Sequence, residues 1–223
     1  MADESGRASV FLVDDHPLVR ESLTSLINQQ PDLFVCGEAE DAASSLREIA
    51  TLKPDVAVID ISLKDGSGME LIRSIKARMP DVATIVLSMH DEKNYAERAI
   101  RAGARGYVMK RESTKRIITA IRHVLQGRLA LSDQIATGFA EKFVSSSRRP
   151  AGESPLEDLS DRELEVFTLL GRGLETRQIA ETLNVSIKTV QAYCARIKHK
   201  RNLSTASELL REAIRWNEQR EGI

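Results

Sequence analysis

The chain has 223 residues, 42% of them apolar and 29% charged, with 32 Lys+Arg against 33 Asp+Glu for a net charge of -1. These values describe one large or two small globular domains, and they exclude an acidic disordered chain and a uniformly basic nucleic-acid coat. No apolar run reaches the ~18 residues that a membrane-spanning helix needs, so no membrane partner is expected.

The first residues, Met1-Ala2-Asp3-Glu4-Ser5-Gly6-Arg7, hold no secretion-signal core, and a cytoplasmic location is expected. Cys36 and Cys194 stand far apart and match no disulfide or zinc spacing. Residues 8–127 alternate short β-rich apolar runs with helical spacing. The runs are Val10-Phe11-Leu12-Val13, Leu33-Phe34-Val35-Cys36, Val56-Ala57-Val58-Ile59, Thr84-Ile85-Val86-Leu87 and Gly106-Tyr107-Val108-Met109. They are near-continuously apolar, as in strands buried on both faces. The expectation is therefore an α/β doubly wound, five-stranded parallel sheet.

Residues 128–155 are expected to connect two domains. Ser132 to Val144 reads as one amphipathic helix, and Ser145 to Pro155 has the composition of a flexible linker. Residues 156–223 carry no strand signal. Helical patterns fall at roughly 160–171, 175–183, 186–201 and 204–218, so the second domain is expected to be all-α with four helices. Ser160 followed by Glu163 has the spacing of a capping box.

In a doubly wound sheet, ligands bind beyond the carboxyl ends of the strands. Here those ends carry Asp14 and Asp15, Asp60, Ser88 and Lys110. A single strand-end aspartate is readily a helix cap. Chemistry at four strand ends together points to a site. Clustered carboxylates repel unless a cation is present, and an all-oxygen donor set suits Mg2+.

Val13-Asp14-Asp15-His16, Val58-Ile59-Asp60, Leu87-Ser88 and Tyr107-Val108-Met109-Lys110 resemble the receiver domain of two-component response regulators, over residues 8–127. The resemblance implies that Asp60 accepts a phosphoryl group from a sensor histidine kinase. It implies that Asp14, Asp15, Asp60 and the Ser62 carbonyl hold Mg2+. Ser88 would be the switch hydroxyl, Lys110 the counter-ion of the phosphoryl group and Tyr107 the aromatic that swings inward. His16 and His90 are read as helix-start or rim residues, and Ser62 and His90 as lining the hydrolytic water's path. Lys64 departs from the family, where a proline is common.

The second domain is neutral, with 11 Lys+Arg and 11 Asp+Glu over 156–223, but unevenly so. Between Glu181 and Glu208 there is no acid, while Lys188, Arg196, Lys198, Lys200 and Arg201 are basic. That strip is a candidate phosphate-binding face. Ile179-Ala180, Asn184, Val185, Ser186 and Val190 have the spacing of a helix-turn-helix, with Asn184 at a turn that needs positive φ. Recognition helices enter the major groove by their N-terminal turns. Lys188 and Thr189 are thus candidates for phosphate, and Gln191, Ala192 and Ala195 for base edges of double-stranded DNA.

Leu159-Ser160-Asp161-Arg162-Glu163-Leu164-Glu165-Val166, Gln178-Ile179-Ala180 and Ser186-Ile187-Lys188-Thr189-Val190 resemble the LuxR-type helix-turn-helix, over roughly 156–216. Joined to a receiver, the whole resembles the NarL/FixJ subfamily of transcriptional regulators. The departures are Tyr193-Cys194, where histidine is common first, and Arg201-Asn202, where Leu-Gly is usual. In this subfamily the last helix often makes the DNA-bound homodimer. Here Ala206, Leu209, Leu210, Ala213 and Ile214 stand at helical spacing. Leu209, Leu210 and Ala213 are the dimer candidates, and closing the small core is the alternative role for most of these positions. Phosphorylation-switched DNA binding is the expectation, without enzymatic turnover. The rival, a Mg2+-dependent phosphatase with an aspartate nucleophile, commonly has an acid two residues on, where this chain has Ser62.

Overall fold

Five buried strands alternate with amphipathic helices along the first part of the chain: β1 (Ala8–Val13), α1 (Pro17–Asn28), β2 (Leu33–Ala39), α2 (Ala42–Leu52), β3 (Val56–Asp60), α3 (Gly68–Arg78), β4 (Ala83–Ser88), α4 (Glu92–Ala102), β5 (Gly106–Met109), α5 (Thr114–Leu125) and α6 (Asp133–Ser146). A computed structural model of the chain describes residues 6–63, 67–89, 92–112, 114–146, 156, 158–183 and 185–221. Lys64, His90, Asn184 and the linker stretch 147–155 lie outside the described residues. The chain divides into two units, residues 1–148 and 149–223.

In the first unit all strand pairs are parallel, in the order β2-β1-β3-β4-β5. β1 from Ser9 onward and the whole of β3 are buried. Each such Val, Ile or Leu contributes about 1.5–3 kcal/mol through burial. Strand order reverses at β1, with β2 on one side and β3 to β5 on the other. A crevice therefore opens beyond the carboxyl ends of β1 and β3.

β2 runs three residues past its apolar run. The register shifts between Val10 and Phe11, so that Val10 pairs with Val35 and Phe11 with Gly37. A Cβ on Gly37 would sit 2.7 Å from the Phe11 ring, so only glycine lets that ring lie against the strand. Helix caps fix the returning chain. Asp41 accepts the amides of Ala43 and Ser44, each at 2.8 Å. The helix read as a connector, α6, falls within the first unit.

The second unit holds α7 (Asp161–Gly171), α8 (Thr176–Thr182), α9 (Ile187–Lys200) and α10 (Ala206–Glu221). Ser160 and Glu163 form the capping box, with Ser160 N–H donating to Glu163 Oε2 at 2.7 Å. Phe167, Ile179, Val190, Ile197, Leu209 and Ala213 are buried. Phe167 meets Trp216 edge-on, ring centroids 5.9 Å apart. A Cβ on Gly171 would lie 2.4 Å from the Ala213 carbonyl oxygen, so α7 and α10 cross backbone against backbone. No described helix is long and apolar enough to cross a membrane.

Candidate functional site

β1 hands Asp14 and Asp15 to the crevice, β3 ends on Asp60, and Lys110 follows β5. Lys110 Nζ stands 2.6 Å from Asp14 Oδ2 and 2.6 Å from Asp60 Oδ2. The Ser62 N–H donates to Asp60 Oδ1 at 2.9 Å. Asp14, Asp15 and Asp60 are all buried. His16, the N-cap of α1, brings Nδ1 to 2.7 Å from Asp15 Oδ1 and 3.2 Å from Asp14 Oδ1.

Burial pushes the Asp60 carboxyl above the ordinary carboxylate range, and Asp14 adds to that. Lys110 opposes it without cancelling it. Burial works to depress Lys110, but Asp60 and Asp14 outweigh it and hold the ammonium above its ordinary 10.5. Lys110 therefore keeps its proton at neutral pH. Ligand atoms of Asp14, Asp15, His16 and Asp60 lie within 4.8 Å of one another. Three buried carboxyl groups thus share the crevice with the Lys110 ammonium and the His16 ring. This donor set is compatible with a divalent cation, and its carboxylate oxygens are hard ligands.

Ser88 closes β4 fully buried, and its carbonyl accepts the Lys110 N–H at 2.7 Å. The Tyr107 side chain is buried. Gly68, on which the sequence pattern is silent, shapes the turn after β3. A Cβ there would sit 2.3 Å from the Asp60 carbonyl oxygen, so glycine alone lets α3 start against the end of β3.

In the second unit, Ser186 caps α9 by accepting the Thr189 N–H at 3.1 Å. Lys188, Gln191, Ala192, Ala195 and Arg196 are exposed, and Thr189 and Lys198 half-buried; Val190 and Ile197 face inward. The exposed positions follow helical spacing and form one face, which His199 extends. Counting fixed charge does not find His199, although it stands four residues after Ala195. The Arg196 guanidinium lies 5.5 Å from the Tyr193 ring centroid. Asn202 takes φ +53 beyond the end of α9, and Leu203 N–H reaches back to the Lys198 carbonyl at 2.8 Å. Asparagine thus supplies the left-handed residue for which glycine is usual.

The expectation for α10 needs correction in part, and Lys200, though exposed, has partners inside its own unit. Its Nζ donates to Glu163 Oε2 at 2.7 Å and to the Asp158 carbonyl at 2.8 Å. On α10, Leu209 and Ala213 are buried in the core, which places them inside the fold rather than at a dimer surface. Leu210 and Ile214 are exposed.

Residues 10–122 match the response regulator receiver domain, and residues 157–213 match the bacterial regulatory proteins of the luxR family. The oxygen regulatory protein NreC of Staphylococcus epidermidis is 32% identical over 210 residues, covering 92% of this chain and 96% of the relative. NreC of Staphylococcus carnosus is 32% identical over 209 residues, with the same coverage of each chain, 92% and 96%. Among solved structures, a LuxR-family two-component response regulator from Aurantimonas sp. SI85-9A1 is 37% identical, with TM-score 0.57, covering 62% of this chain and 99% of its own. RcsB from Salmonella enterica serovar Typhimurium, bound to promoter rprA in the presence of phosphomimetic BeF3-, is 25% identical, with TM-score 0.58, covering 92% of this chain and 97% of its own. The chain belongs to the two-component response regulators of the NarL/FixJ type, in which a receiver domain is joined to a LuxR-type DNA-binding domain.

Proposed function

We propose that Asp60 is the phosphoacceptor of this phosphorylation-regulated transcription regulator, and that a sensor histidine kinase is the donor. The observation that carries the reading is Lys110 Nζ held 2.6 Å from both Asp14 and Asp60. Asp60 Oδ attacks phosphorus, the phosphorus–nitrogen bond of the phosphohistidine breaks, and the imidazole leaves with the electron pair. Lys110 is placed to follow the new charge from Asp60 Oδ2 onto a phosphoryl oxygen. Asp14, Asp15, Asp60 and the Ser62 carbonyl would hold Mg2+. When bound, the ion neutralises the carboxylates and the incoming phosphoryl oxygens. The Ser88 hydroxyl donates a hydrogen bond to the phosphoryl group; Tyr107, expected to swing inward, is already buried. The protein itself supplies at most slow self-phosphorylation and self-dephosphorylation.

The domains proposed are 8–127 for the receiver, 128–155 for the connecting stretch and 156–223 for DNA binding, in a cytoplasmic protein. Lys188, Thr189, Arg196 and Lys198 contact phosphates. Gln191, Ala192 and Ala195 face base edges. Lys200 instead positions α9 through Glu163. A homodimer on DNA would use Leu210 and Ile214. One RcsB structure holds two dimers of that protein bound to two parallel DNAs, which supports this reading.

Acetyl phosphate with Mg2+ should add one acid-stable, hydroxylamine-labile phosphoryl group to the full chain and none to Asp60→Asn. Equal labelling of that variant removes Asp60 from the role.

A further inference from the structure

The residues between α5 and α6 form a strap along the open edge of the sheet. Gly106 of β5 pairs in parallel with Ala130. The Tyr107 N–H donates to the Ala130 carbonyl at 2.9 Å, and the Ala130 N–H to the Arg105 carbonyl at 2.9 Å. Arg116 donates to the Leu131 carbonyl at 2.9 Å, and the Arg105 guanidinium to the Gly127 carbonyl. A Cβ on Gly106 would lie 3.0 Å from that of Ala130, so the two chains are in close contact.

The strap has a second attachment, to α4. Glu92, the first residue of that helix, is buried, and its Oε1 accepts the Ser132 N–H at 2.9 Å. Ser132 in turn opens α6: its carbonyl accepts the Ala136 N–H at 3.0 Å and its Oγ the Ile135 N–H at 3.3 Å. The carboxylate therefore sits at the helix N-terminus, where negative charge is favoured.

One strap is thus held by two elements with different neighbours. Its β5 attachment uses the backbone of Tyr107 itself. Its α4 attachment begins four residues after Ser88. A phosphoryl group on Asp60 that drew in the Ser88 hydroxyl would shift the start of α4 relative to β5. Hydrogen bonds weaken steeply with misalignment, so both attachments would not survive such a shift unchanged.

We propose that the Glu92–Ser132 hydrogen bond is a conformational latch, through which the phosphorylation state of the receiver sets how firmly α6 is anchored. This rests on Asp60 and Ser88 acting as described above. The latch differs between the two states, and that difference lets the phosphoryl group bias one over the other.

Hydrogen exchange of the full chain by mass spectrometry, with Mg2+ and with or without beryllium fluoride as the phosphoryl mimic, tests it. In the native chain, exchange over 130–141 should change about tenfold when beryllium fluoride is added. Glu92→Ala should exchange about tenfold faster there without the mimic and should not respond to it. Glu92→Gln keeps an acceptor at Oε1 and should retain the native response. Should Glu92→Ala fail to fold, Ser132→Pro removes the donor instead and should likewise lose the response. Labelling by acetyl phosphate is measured in parallel. A native chain that takes no label overturns the acceptor reading. A labelled native chain with unchanged exchange over 130–141, or a folded Glu92→Ala or Ser132→Pro chain that responds like the native one, overturns the latch.

Discussion

Lys200 Nζ donates to Glu163 Oε2 at 2.7 Å, so the last turn of α9 is tied to the capping box of α7. Burial acts to raise Glu163, but Lys200 and Ser160 outweigh it and hold the carboxyl below its ordinary 4.5. The folded state thus favours the ionised form, and the stabilisation is fully present above about pH 4.5. It is lost as pH falls through the lower folded value. At pH 7, Glu163→Gln should cost about 1–2 kcal/mol, discounted because Lys200 is partly exposed. Urea titrations at pH 7, 5, 4 and 3 should show the gap between native and variant closing below pH 4.5. A gap that stays constant with pH would contradict the assignment.

Among the described residues, Lys110 is the only cation within hydrogen-bonding distance of Asp60. Lys110→Ala would leave two buried carboxylates facing each other, at a cost of about 3–5 kcal/mol without Mg2+. Millimolar Mg2+ should return part of that loss, since a bound cation supplies the missing positive charge. Equilibrium unfolding with and without EDTA measures both. A loss below about 1 kcal/mol in EDTA would show that the ammonium is not needed there.

Gly68→Ala places a methyl group 2.3 Å from the Asp60 carbonyl oxygen. Relief requires α3 to back away from β3, for about 1–3 kcal/mol. The turn bearing Ser62 moves with it, so labelling by acetyl phosphate should slow while the rest of the domain stays folded. Rates measured on the folded variant at low temperature test this; native rates would sever the link between glycine and site.

Lys188→Ala should weaken binding to every DNA sequence and make the logarithmic salt dependence shallower by about 1. Gln191→Ala should change preference at one base position and leave the salt slope alone. Fluorescence anisotropy on cognate and scrambled duplexes separates the two. Identical, sequence-blind losses would reject the division of labour along α9.

The sheet and its acidic edge were legible because parallel strands buried on both faces leave unbroken apolar runs, as in Val56-Ala57-Val58-Ile59. β2 was legible only in part: the register shift near Cys36 and the exposed Glu38 break its pattern. Charge counting put Lys200 in the basic strip because a run of like charges does not reveal which member has a buried partner. On α10, apolar spacing singled out 209, 210 and 213 together. One step along a helix is 100°, which is enough to separate the buried Leu209 from the exposed Leu210. Gly68 was silent because its role lies in the side chain it lacks.

The backbone-to-backbone crossing at Gly171 also limits what α10 can offer a second copy. With Phe167 against Trp216 and the Asn217 side chain donating to the Thr168 carbonyl at 3.1 Å, α10 is part of its own unit's core. The exposed apolar strip that remains is about one helical turn, Leu210 to Ile214. Two such strips would meet over far less than the ~1,000 Å² typical of a stable association. The Leu210–Ile214 contact would then form only between two units that DNA already holds on adjacent half-sites, where the duplex fixes their separation and raises the effective concentration of one strip for the other. Cooperativity between two half-sites should accordingly fall when their spacing is changed.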